Sequence, residues 1–337
     1  MPTTRPRRVP RTAPPSPNSR ATAKPAASTP PPVDSLNRRD LVLAISPFGL
    51  PDARVTAAAV RAGALGVLDL GRDRDAAIGA LAETARWARG PFGVRVGAGC
   101  PLLPSDLPDV VDTVLLAPDA PWQLRDAGGG RRILLEVTSP EEVPGPGSGA
   151  DGLVARGSEG GGLAGELSTF VLLQRLVAGT GVGLPVWAAG GIGLHTAAGA
   201  IAGGATGVVL DVQLALTKEA CENLPGDVAA ALRSMDGSET VVAGGRRVYR
   251  RPGPELTGGP LPIGQDGAFA AGLADRYRTV GGIVQAVRSS IRQHLVSAEL
   301  CPPLTVAQGP MTRVSDRVAF AGAVAAEGGL PFLALAL

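Results

Sequence analysis

Residues 185–211 read Pro185-Val-Trp-Ala-Ala-Gly-Gly-Ile192, then Gly-Leu-His-Thr-Ala-Ala-Gly-Ala-Ile-Ala202, then Gly-Gly-Ala-Thr-Gly-Val-Val-Leu-Asp211. The run from Pro185 to Ala189 is short, apolar and stopped by two glycines, which suits a buried strand. Leu194 to Ala202 reads as one helix of small residues, and Gly207 to Leu210 as a second buried strand. Together they form a strand, a glycine turn, a helix and a parallel strand. Without side chains at Gly190 and Gly191, backbone N–H groups at the start of the helix are free to meet a phosphate. In an eightfold barrel this is the anion-binding position after strands seven and eight. The plainer alternative is a tight turn packed on its own sheet.

Working outward, the whole chain supports the barrel count. It has 337 residues, 45% of them hydrophobic but only 3% aromatic, so its core is built from Ala, Val, Leu and Ile. Residues 1–38 contain ten prolines, and residues 1–40 carry a net charge of +6, against +2 for the whole chain. That segment reads as a disordered basic arm with no apolar leader region. The remaining body is slightly acidic and poor in aromatics, which argues against nucleic-acid binding. Cys100, Cys221 and Cys301 match no zinc spacing and read as reduced thiols of a cytoplasmic protein. No apolar run is long enough to span a membrane.

After Arg39, apolar strands alternate with helical stretches. Strands are expected at 41–45, 66–70, 92–96, 113–116, 133–137 and 153–155, ahead of the two already described. Asp52 is placed to cap a helix reaching Ala62, and a second helix is expected from Arg74 to Trp87. Eight strands in about 175 residues point to a (β/α)₈ barrel. Two links are poor helix formers, 117–131 and 138–150 with its Pro-Gly-Pro-Gly, so a doubly wound open sheet is the structural alternative. Residues 214–236 read as mostly helical, followed by a hairpin around Gly244-Gly245 and helices within 265–295. The expected division is an arm at 1–38, a barrel at 39–243, a helical extension at 244–303 and a further segment at 304–337. That last segment repeats the pattern of residues 44–69: strand, proline turn, alanine-rich helix, Gly-x-Leu, strand. It reads as the start of a second, similar barrel.

These residues resemble the nitronate monooxygenase family, also called 2-nitropropane dioxygenase-like, which includes FMN-dependent enoyl reductases. Gln308-Gly309-Pro310-Met311 resembles the family's first-strand turn, with Ser46-Pro47-Phe48 as its counterpart in the first copy. Gly157-Ser-Glu159-Gly-Gly161-Gly162-Leu163-Ala-Gly165 follows the family's Gly-x-Glu-Ala-Gly-Gly-His-x-Gly loop. Ala189-Gly190-Gly191-Ile192 and Gly207-Val-Val-Leu210-Asp211 follow its two phosphate-site strands. The resemblance implies a (β/α)₈ barrel holding FMN at Ser46, Pro47, Phe48, Gly157, Glu159, Gly161, Gly162, Ala189, Gly190, Gly191, Leu210 and Asp211. It also implies a small-molecule or acyl-thioester substrate and the setting of a polyketide or fatty acid synthase. The alternative reading is a degenerate, non-catalytic barrel that serves such a synthase as a structural or docking unit.

Two positions depart from the family's pattern. Leu163 stands where the family has a histidine, and a leucine can neither carry a proton nor donate a hydrogen bond. Asp211-Val212 stands where Gly-Thr meets the FMN phosphate, and a carboxylate aimed there repels it. No catalytic residue is assigned and no metal is expected. Among other candidates, His195 is read as a helix-start side chain and His294 as a surface residue. Glu159 is divided between a ligand role and a helix cap. Asp69 lies at the barrel mouth, and Cys100 is read as an inert thiol.

Overall fold

The computed structural model describes residues 37–179, 183–250, 256–257, 259–297, 306–311 and 314–334. Most of the basic arm, Cys301 and the expected start of the repeat at Leu304 lie outside these residues.

Eight parallel strands close into a barrel. In chain order the elements are β1 (Val42–Ile45), α1 (Ala53–Arg61), β2 (Leu65–Asp69), α2 (Arg74–Ala88), β3 (Phe92–Val96), β4 (Val111–Leu116), α3 (Leu124–Ala127), β5 (Arg132–Val137) and β6 (Gly152–Arg156). Next come β7 (Gly162–Leu163), α4 (Thr169–Gly179), β8 (Val186–Ala189), α5 (Leu194–Ala202) and β9 (Gly207–Leu210). The barrel order is β1-β2-β3-β4-β5-β6-β8-β9, and β9 pairs back onto β1 through Leu43↔Val209. Closure excludes the doubly wound open sheet. Asp52 caps α1 as expected, its Oδ1 accepting from the N–H groups of Arg54 and Val55.

The two weak links behave as their composition dictates. Residues 117–131 form only the single turn of α3, and 138–150 only a 3-10 turn at Pro140–Glu142. Residues 214–236 are less helical than expected, holding α6 (Lys218–Cys221) and α7 (Gly226–Arg233). The hairpin β10 (Thr240–Ala243) and β11 (Arg246–Tyr249) turns at Gly244-Gly245, both with positive φ. The short strand β7 joins it through Leu163↔Arg246.

α8 (Ala270–Tyr277) and α9 (Val280–Ser297) follow. The α9 stripe of Ile283, Val284, Val287 and Ile291 is fully buried in the same cluster as α1 and α5 side chains. It packs against both helices and so takes the place of the barrel's eighth helix. The interior is filled by inward side chains such as Leu43, Leu65, Leu134 and Val154 around Trp187. With so few aromatics, this one indole plugs the lower barrel, its N–H donating to the Asp40 carbonyl at 2.6 Å. A Cβ at Gly152 or Gly207 would sit 2.6 Å from the Trp187 ring, so both strands begin with glycine.

Residues 306–334 form β12 (Ala307–Gln308), α10 (Val318–Ala326) and β13 (Leu330–Pro331), with the two strands parallel. This is the β1–α1–β2 pattern again. Among the described residues from 306 on, no apolar side chain is buried, whereas α1 buries most of its face.

Candidate functional site

A belt of five charged side chains crosses the mouth of the barrel. Asp69 ends β2, Arg95 lies in β3, Glu136 in β5, Arg156 ends β6, and Asp211 follows β9. Arg95 Nη1 donates to Asp69 at 2.8 Å and its Nε to Glu136 at 3.0 Å. Arg156 Nε donates to the other Glu136 oxygen at 2.7 Å, and its Nη1 to Asp211 at 3.0 Å. Each charge stands near the C-terminal end of its strand, where the side-chain alternation of a barrel points it inward. Burial alone would raise the Glu136 carboxyl, but Arg156 and Arg95 hold it down to about 2. Burial likewise opposes the charge on both arginines, and their carboxylate partners outweigh it. These three groups therefore stay ionised at neutral pH. They form a rigid floor rather than a proton-transfer pair.

Above the floor lies a cavity of about 740 Å³, bordered by Ser46, Pro47, Phe48, Asp69, Arg95, Arg156, Gly161, Gly162 and Asp211. That is ample for a drug-sized ligand. Ser46 ties β1 to β2, its Oγ accepting from the Asp69 N–H at 2.8 Å. Phe48 adopts φ 64°, a left-handed conformation that an aromatic residue takes only under constraint. The outer wall includes Arg246, ion-paired with Asp119, and the stretch from Pro260 to Pro262.

Gly157, Glu159, Ala189, Gly190, Gly191 and Leu210 lie beside this cavity rather than on it, and Gly161 joins the two. A Cβ at Gly157 would sit 2.2 Å from the Thr169 N–H nitrogen, and one at Gly161 2.2 Å from the Pro262 carbonyl oxygen. Glu159 caps α4, accepting from the Thr169 N–H at 2.9 Å, which is the structural alternative considered for it. The Thr169 hydroxyl also lies within hydrogen-bonding reach of the Ala189 and Gly190 carbonyls. Gly190 and Gly191 have φ of 97° and 66°, as the turn requires. Leu210 faces the outer layer, and Leu163 is half-buried in β7.

The glycine loop, the β8 turn and the 260–269 stretch thus interlock around the start of α5. There the Gly191 N–H donates to Asp266 Oδ2 at 3.2 Å. The Asp211 N–H donates to Gln213 Oε1 at 2.9 Å, and the Val212 N–H to Asp211's own carboxylate at 2.6 Å. His195 and His294 are exposed, and their rings meet edge-on. Cys100 is buried, and burial pushes its thiol up.

Arg95, Glu136, Arg156, Gln213 and Asp266 were missed as site residues. For the first three a signal existed, since one charge interrupts each of Phe-Gly-Val-Arg-Val, Ile-Leu-Leu-Glu-Val and Gly-Leu-Val-Ala-Arg. Asp266 gave none, because its contacts lie 53 and 75 residues away in sequence.

No family model matches the chain. A FabK variant from Thermotoga maritima matches at a TM-score of 0.65 and 26% identity, over 79% of this chain and 97% of that one. The barrel is similar to the nitronate monooxygenase-like barrels. Nitroalkane oxidase from Streptomyces ansochromogenes shares the fold at a TM-score of 0.51 and 22% identity, over 77% of this chain and 87% of its own. In sequence, the barrel is 29% identical over 244 residues to a (3aS,4S,5R,7aS)-5-hydroxy-7a-methyl-1-oxo-octahydro-1H-indene-4-carboxyl-CoA dehydrogenase of Mycobacterium tuberculosis. The match takes in 68% of this chain and 66% of the relative. The same-named protein of Rhodococcus jostii is 30% identical over 49% of each chain, so the match spans about half to two thirds of these relatives.

Measured against the FMN that the resemblance implies, this barrel does not fit the phosphate. The Gly191 and Gly193 amides after β8 and the Asp211 and Val212 amides after β9 are already answered within the chain. The Asp266 side chain, buried against Gly191 and Gln213, fills the space that the phosphate would need. Asp211 does turn away from the cradle, onto Arg156.

Proposed function

We propose that this chain is an oxidoreductase-family barrel that acts as a binding or docking module and not as an FMN enzyme. Its ligand is a small molecule or an acyl thioester held in the mouth cavity, and its setting is a larger polyketide or fatty acid synthase. The observation that carries this reading is the occupied cradle: the Gly191 and Asp211 N–H groups donate to Asp266 and Gln213. The replacement of the family's loop histidine by Leu163 supports it, since a leucine cannot carry a proton and the loop's carboxylate, Glu159, is engaged in capping α4. The synthase setting rests on the family resemblance and on the second β–α–β unit at 307–331.

A second reading, an FMN-dependent oxidoreductase of the nitronate monooxygenase or enoyl reductase type, is favoured by the cavity of about 740 Å³ beside Ser46–Phe48. Relatives that are themselves named dehydrogenase and oxidase add to it. One experiment separates the two. The full chain is purified, its visible spectrum recorded with and without added FMN, and NAD(P)H then supplied. A colourless protein that leaves added FMN free supports the module. Bound flavin that is reduced by NAD(P)H sinks it in favour of the enzyme.

A further inference from the structure

The stretch from Pro260 to Phe269 brings a carboxylate into the cradle, and it is fitted there closely. A Cβ at Gly264 would lie 2.3 Å from the Glu159 carbonyl oxygen and 2.6 Å from the Gly161 nitrogen. The Gln265 N–H donates to the Glu159 carbonyl at 2.8 Å. These are backbone-to-backbone approaches, which mark a built contact and not a loose strap.

Asp266 is 1% exposed. Its Oδ2 accepts from the Gly191 N–H at 3.2 Å and from Gln213 Nε2 at 3.1 Å. Gln213 is itself fully buried and also holds the Ile192 carbonyl and the Asp211 N–H. The pair therefore satisfies one amide after each of the last two barrel strands, at the start of α5. Asp266 Oδ1 is buried and, among the described residues, has no hydrogen-bond partner. An orphaned buried oxygen is uncommon and unfavourable unless the position serves something else.

We infer that Asp266 is a built-in occupant of the barrel's phosphate cradle, held by Gly191 and Gln213, so that the phosphate of a nucleotide-like cofactor finds the place taken. The inference rests on the reading of the chain as a barrel that has given up FMN, and it names the residue responsible. Exclusion does not need the charge. Burial first, and then Asp211, push the Asp266 carboxyl up to about 8 against the pull of Arg156, yet a protonated Asp266 still fills the space and still accepts both hydrogen bonds.

The comparison of FMN with riboflavin isolates the phosphate, because the two differ by that group alone. Both are titrated by fluorescence quenching into the full chain and into Asp266→Ala and Asp266→Asn, with folding checked by circular dichroism. The wild type should bind FMN no better than riboflavin. Asp266→Ala should favour FMN by about tenfold or more, as expected for a phosphate reaching charge-assisted backbone donors. Inorganic phosphate should then raise the melting temperature of Asp266→Ala and not that of the wild type. Asp266→Asn, which keeps the shape, should behave like the wild type.

A wild type that prefers FMN by about tenfold overturns the inference. So does a folded Asp266→Ala with no gain, or an Asp266→Asn that gains as much as Asp266→Ala. Should Asp266→Ala not fold, Asp266→Ser takes its place, and the wild-type ratio decides in any case. A wild type that binds both flavins equally would sink the flavin-free function while leaving this inference standing. A wild type that binds neither, with no gain in Asp266→Ala, does the reverse.

Discussion

Glu136→Gln is the sharpest test of the charged floor. The Glu136 side chain is fully buried, and both of its oxygens accept from guanidinium groups, Oε1 from Arg156 and Arg95 and Oε2 from Arg95. Glutamine keeps the shape but removes the charge and turns one oxygen into an NH₂ that faces N–H donors. The drop of the Glu136 carboxyl from 4.5 to about 2 sets the scale at about 3 kcal/mol. Removing one member of a buried ion pair costs about 3–5 kcal/mol, which agrees. Urea unfolding at pH 7, followed by far-UV circular dichroism, should show a loss of that order. The sign with pH follows from the lowered folded-state value. The stabilisation is complete above about pH 4.5 and disappears as pH falls toward 2, so the wild type should lose stability over that window and Glu136→Gln much less. A loss below about 1 kcal/mol, or an unchanged acid limb, would mean that water reaches the floor and that the network is no sealed unit.

Asp266→Asn should be more stable than the wild type at pH 8.5 and gain little near pH 4. The native Asp266 keeps its proton up to about 8 while the unfolded chain releases it near 3.8, so wild-type stability falls between those values; denaturant melts at both pH values check this. Asp211→Gly should cost about 1–2 kcal/mol by removing the outer partner of the buried Arg156, and calorimetry reads it. That change alone should not create FMN binding, because Asp266 still holds Gly191. Gly161→Ala pushes a Cβ to 2.2 Å from the Pro262 carbonyl and should release the 260–269 stretch, seen as new cleavage there in limited proteolysis. Deleting residues 304–337 should leave the main melting transition nearly unmoved, since the apolar side chains described there are not buried; a large drop would place that segment within the barrel's own core.

Legibility from sequence differed by element for physical reasons. The strands of the barrel are short apolar runs bounded by Gly, Pro and Asp, and local pattern was enough to find them. α5 and β9 fall where residues 194–202 and 207–210 placed them. Residues 214–236 looked helical because propensity is local, but Pro225 and tertiary packing broke them into two short helices. The hairpin was readable from Gly244-Gly245, while its third strand β7 was hidden inside a glycine-rich loop. At the site, the glycines were found because they answer backbone needs that sequence records. What fills the cradle was not, because Asp266 reaches Gly191 through the fold and no short-range pattern marks such a pairing.

The late position of α9 bears on how the chain is made. Arg288 on that helix donates to the carbonyls of Arg38 and Gly63, some 225–250 residues upstream. α1 therefore has one flank uncovered until the chain has been synthesised through Ser297. Contacts of such long range slow folding and leave the early half-barrel exposed on the ribosome, with β1 lacking β9 and α1 lacking α9. Chains released short of α9 should be prey for proteases and holdase chaperones, whatever the stability of the finished barrel.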